Sequence, residues 1–129
     1  AEIMDLLQEL CETENMGLIL ITHDLGVVSQ VTEKIAVMYA GKIIEFGLTD
    51  QVVHHPVHPY TIGLIGSIPG STAPGEELRQ IPGMMPTLSN IPQGCAFNPR
   101  CELRQPICTQ KTPVLEEKQN KIMAACHMK

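Results

Sequence analysis

Three groups of residues in this chain have types and spacings that could do chemistry. His23 and Asp24 close the stretch "LILITHD", a polar pair directly after the apolar run of residues 18–21. Open α/β sheets place their ligands at the carboxyl ends of buried strands, which makes the pair a candidate ligand-binding position. A histidine there is equally a loop residue satisfied by backbone, and the local pattern leaves both readings open. His54, His55 and His58, in "VVHHPVHPYT", are three imidazoles of the kind that bind zinc or nickel. Pro56 and Pro59 fix the backbone around them, which favours a structural turn between two helices over a metal site.

Cys95, Cys101, Cys108 and Cys126 form the third group, with five, six and seventeen residues between successive members. Structural zinc sites use C-x2-C knuckles and none is present, so zinc is the weaker reading. Four thiolates on irregular backbone suit an iron–sulfur cluster, which tolerates uneven spacing. Arg100 and Arg104 flank Cys101, and their charge should favour thiolates. His127, beside Cys126, is a further candidate ligand or supporting donor.

Several elements must position these groups. Ile3, Leu6, Leu7, Leu10 and Cys11 recur at helical spacing among Glu2, Asp5, Glu9 and Glu12, so an amphipathic helix should run to about Gly17 and bury Cys11 as a structural thiol. "LILI" reads as a strand covered on both faces in a parallel sheet. Asp24 can cap a helix from Leu25 to about Thr32, with Val28 and Val31 inward. "KIAVMYAGKIIEFG" reads as a hairpin turning at Ala40-Gly41. Thr49 can cap a short helix through Val53, and Pro59 can sit in the first turn of another that carries Tyr60, Leu64 and Ile65.

The composition changes after this α/β segment. Residues 69–94 hold five prolines and four glycines among 26 residues, an irregular arm whose Ile81, Met84, Met85, Leu88 and Ile91 suggest that it lies on a surface. Three segments follow: 1–68, the arm 69–94, and a cysteine module 95–129. The first segment carries nine acids against Lys34 and Lys42, while residues 69–129 carry seven bases against five acids. A net charge of -5 and only two Phe and two Tyr argue against nucleic acid as a partner. No stretch reaches the roughly 18 apolar residues of a membrane span.

In their order, "LILITHDLGVVSQVTEKIAVMYAGKIIEFG", "HHPVHPYTIGLIGSIP", "IPGMMPTLSNIPQGCAFNPRC" and "ACH" resemble the C-terminal part of the ATP-binding subunits of ABC transporters, specifically bacterial oligopeptide and dipeptide importers. The resemblance implies the C-terminal part of an ABC-type, RecA-like ATPase domain, followed by the arm and the cysteine module. It implies that His23 contacts the γ-phosphate of ATP and helps hold the attacking water, with Mg as the metal of the intact subunit. It also implies a [4Fe-4S] cluster on Cys95, Cys101, Cys108 and Cys126, as in some members.

The implied partners are transmembrane permease subunits and a second ATP-binding subunit, on the inner face of the cell membrane. The chain shows no G-x-x-x-x-G-K-[ST] loop, no LSGGQ-like stretch and no strand ending in Asp-Glu. With Ala1 already inside a helical pattern, it reads as a piece of something longer, inactive alone and prone to self-association. The competing reading is a stand-alone metal-binding or redox-sensing module on an α/β scaffold.

Overall fold

The computed structural model describes residues 2–71 and 73–128. Helix α1 spans Glu2–Thr13 and α2 spans Leu25–Val31. Asp24 caps α2 as its side chain suggests: Oδ1 accepts from the Val27 N–H at 3.2 Å. Strands β1 (Lys34–Tyr39) and β2 (Lys42–Leu48) form the expected hairpin. Ala40 and Gly41 both have positive φ, 48° and 80°, which is the two-residue turn whose twist matches that of the flanking strands.

Helices α3 (Thr49–His54) and α4 (Pro59–Gly66) follow. Thr49 does not cap α3. Its hydroxyl instead meets that of Thr32 at 3.1 Å, and its N–H donates to Glu33 O, joining α2 to α3. Residues 98–100 form a 3-10 turn, α5 spans Pro106–Gln110, and the two-residue strands β3 (Glu116–Glu117) and β4 (Met123–Ala124) lie near the end.

All four strands belong to one antiparallel sheet in the order β1-β2-β4-β3. The register slips opposite Val37 and Met38, leaving Ile44 as an extra residue in β2, so that Ile44 and Glu45 are both buried although they are adjacent. Ile35, Val37 and Tyr39 face the core from β1. From the far end of the chain come Phe97, Ile122 and Ala124, the last two with no exposed surface. Residues 95–128 therefore complete the sheet and core of residues 34–66, although their composition sets them apart.

Two expectations fail at the start of the chain. "LILI" is not a strand: Ile19 and Ile21 are 89% and 93% exposed, and no described strand pairs with them. A strand is held by its ladder, and apolar content alone does not make one. No parallel sheet forms among the described residues. Helix α1 buries none of its residues, and Cys11 is half-exposed instead of core. The result is a small mixed α/β unit with an uncovered apolar helix in front of it.

The arm is partly seated. Ile81 packs so tightly on α4 that a Cβ at Gly63 would come within 2.6 Å of it, and Arg79 lies over Gly66. Met84, Met85, Leu88 and Ile91 stay exposed, against expectation.

Candidate functional site

The structure separates the three sequence candidates. His23 sits exposed in the bend before α2, between two local capping bonds: the Asp24 N–H donates to Thr22 Oγ1 at 3.1 Å, and Asp24 itself caps α2. This places the imidazole in solvent at the mouth of a helix, on a fixed backbone.

The three histidines diverge. His54 and His55 are exposed, with His54 Nε2 3.4 Å from Asp50 on its own helix. His58 is 1% exposed. Its Nδ1 accepts from the Tyr60 N–H at 3.0 Å, making it the N-cap of α4 with Pro59 next in line. Burial holds its pKa down to about 4, so it is neutral and donates only through Nε2.

Below it lies a residue the sequence reading passed over. Glu45 has no exposed surface, and its carboxylate accepts from the N–H groups of Val57 (2.9 Å) and His58 (2.6 Å). Burial raises its pKa, outweighing these two bonds and the nearby Thr61 hydroxyl. Thr61 Oγ1 is close enough to be felt there yet completes no hydrogen bond of its own. Glu45 thus clamps the His-Pro turn to β2. The signal was one acid inside "KIIEFG", at a position that a strict strand alternation would assign only with the bulge known.

Three of the chain's four Phe and Tyr side chains gather over this clamp. Tyr39 meets Tyr60 at 4.7 Å and Phe97 edge-on at 5.4 Å, and Phe97 touches the His58 ring at 5.8 Å. Arg100 covers both Tyr39 and Phe97, 5.9 Å from each centroid, and donates to Pro82 O at 2.8 Å. Arg100, one of the two arginines expected to serve the cysteines, is thus spent on the aromatic cluster and the arm.

The four cysteines of the C-terminal segment do come together. Cys95 feels the charges of Cys108, Cys126 and Cys101, and Cys101 feels those of Cys126 and Cys108. Burial first, and then this mutual repulsion, hold the Cys95 and Cys101 thiols above the ordinary range. The expected shift toward thiolate is therefore reversed. Among the described residues no three His, Cys, Asp or Glu side chains are placed to hold a metal ion. The donor set is that of an iron–sulfur or zinc centre, but the arrangement of these side chains does not fit such a centre as it stands. His127, the expected extra ligand, instead donates through Nε2 to Lys111 O at 2.6 Å.

Residues 44–108 match the family described as "Oligopeptide/dipeptide transporter, C-terminal region". That span runs from the bulge in β2 through the Glu45 clamp, the aromatic cluster and the arm to Cys108. Among curated proteins, the chain is 46% identical over 116 residues to the oligopeptide transport ATP-binding protein OppD of Escherichia coli, covering 90% of this chain and 34% of that protein. It is 40% identical over 128 residues to the dipeptide transport ATP-binding protein DppD of Caldanaerobacter subterraneus subsp. tengcongensis, covering 99% and 39%. The OppD of Haemophilus influenzae is 46% identical over 108 residues, covering 84% and 33%. The chain spans little more than a third of the length of the curated relatives it matches.

Proposed function

The chain belongs to the oligopeptide/dipeptide transporter C-terminal-region family, and from that membership we propose that it is part of an ATP-binding subunit that energises peptide import through membrane permease subunits. The observation that carries this reading is the match over residues 44–108, set beside relatives whose names are oligopeptide and dipeptide transport ATP-binding proteins. No helix among the described residues is long and apolar enough to cross a membrane.

In this reading His23 is the residue of the chain that meets the γ-phosphate of ATP, with Mg supplied elsewhere in the subunit. Its exposed ring on a capped, fixed backbone can donate from one nitrogen to a transferring phosphoryl group. Asp24 acts on the backbone: it caps α2 and sets where His23 stands. Glu45, His58 and the aromatic cluster hold the C-terminal segment on the hairpin and touch no nucleotide.

The isolated chain is inactive, because the phosphate loop and the magnesium-binding acids are not in its sequence. The test replaces the aligned third of the E. coli protein with this chain and measures ATP turnover of the assembled transporter. Turnover that falls about 100-fold or more in His23→Ala is the expected result, the scale of losing one charge-stabilising donor. Equal turnover in the variant removes the assignment.

The four thiols favour a second role for the C-terminal segment. We propose that they are the donor set for an iron–sulfur cluster, which requires them to move from the arrangement seen here. Iron and acid-labile sulfide in anaerobically isolated protein support it, and their absence removes it.

A further inference from the structure

We infer that Cys95 and Cys108 are a disulfide-forming pair, an oxidative modification site that closes when the chain meets a two-electron thiol oxidant. The backbone already joins them: the Cys95 N–H donates to the Cys108 carbonyl at 2.8 Å. One such bond keeps the two Cα atoms within roughly 6.5 Å, inside the range that a disulfide bridges without backbone movement.

Gly94 makes this approach possible. A Cβ there would run into the carbonyl oxygen of Cys108 and come within 2.8 Å of the Thr109 carbonyl carbon, and its φ of +79° is one that a side chain resists. Further bonds fix the Cys95 side of this contact independently of sulfur. Asn98 Nδ2 donates to the carbonyls of Cys95 (2.8 Å) and Gln93 (3.0 Å), and Thr112 Oγ1 donates to Gly94 O at 3.3 Å.

The chemistry balances with an azo oxidant such as diamide. Each thiol gives up a proton and an electron, the two Sγ atoms bond, and the N=N bond takes up two protons and two electrons to become a hydrazine. Closure ties the Gly94 turn to α5 around residues 96–107. It also withdraws two of the four thiols from any thiophilic metal, so oxidation and metal binding compete for the same sulfurs.

The full chain, purified with reductant and chelator, is treated with diamide, alkylated, digested and mapped by mass spectrometry. The expected product is a peptide pair linked through Cys95 and Cys108, with Cys11, Cys101 and Cys126 alkylated. Its Tm is higher by roughly 5–15 °C and returns to the starting value with dithiothreitol. The Cys101→Ser/Cys126→Ser double variant should form the same link. Linkage of Cys95 to Cys101 or Cys126, or full alkylation of all five thiols after diamide, overturns the inference. The wild-type map decides it whether or not a serine variant folds.

Discussion

At the residue scale, His58 and Glu45 make the stability of the chain depend on pH in opposite directions. His58 has its pKa lowered from 6.5 to about 4 by burial. Between those values the unfolded chain holds a proton that the folded chain refuses, so the His58 contribution is complete above about pH 6.5 and is lost as the pH falls toward 4. The loss amounts to about 3 kcal/mol. Glu45 works the other way: its pKa is raised, the folded state takes a proton more readily than the unfolded one, and its contribution grows as the pH falls. Thermal melts at pH 7 and pH 4.5 should therefore show a loss in the wild type that shrinks in His58→Gln, which keeps an amide acceptor for the Tyr60 N–H. An unchanged loss would mean that His58 is not the group titrating. Glu45→Ala leaves the Val57 and His58 N–H groups buried without an acceptor, and it should cost about 2–4 kcal/mol by urea denaturation. Less than about 1 kcal/mol would contradict the clamp.

At the element scale, local signals were readable and distant ones were not. The Asp24 cap, the Ala40-Gly41 turn and Pro59 at the head of α4 depend on a few neighbouring residues, and each stands where the sequence put it. "LILI" needed a partner strand, Thr49 answered to Thr32 across the fold, and Glu45 became buried through a bulge set by β1. The cysteine spacing picks out four residues, but the approach of Cys95 to Cys108 depends on Gly94 and Asn98, and Arg100 goes to the aromatics. Gly94→Ala tests the tightest of these contacts. It should destabilise the chain by about 2 kcal/mol or more, since backbone must move and φ is positive. A loss under about 0.5 kcal/mol, the usual scale of surface changes, would show that the turn relaxes freely. Ile81→Ala should cost about 2 kcal/mol, at the low end for such a truncation because the side chain is only partly buried, and should speed proteolytic cleavage within residues 73–93. Unchanged cleavage would separate Ile81 from the seating of the arm.

At the scale of the whole molecule, one sheet joins the hairpin of residues 34–48 to strands β3 and β4 near the other end of the described chain. β4 hydrogen-bonds to β2, and Phe97, Ile122 and Ala124 fill the core under the hairpin, so residues 34–66 lack a complete core without residues 95–128. The uncovered faces lie elsewhere, on Ile3, Leu6 and Leu10 of α1 and on Ile19 and Ile21. Such a surface should drive the isolated chain to dimers or larger species, and light scattering that finds a monomer at high concentration would count against this. Under the proposed function, the rest of the ATPase domain would cover the same surface and His23 would stand beside the nucleotide, while the clamp holds the C-terminal segment in place. Peptide uptake tests this account most directly. Cells carrying the E. coli subunit with its aligned third replaced by this chain should import a labelled oligopeptide, and should lose import in His23→Ala while the protein level stays the same. Import that survives His23→Ala, or a stable hybrid that never imports, would contradict it.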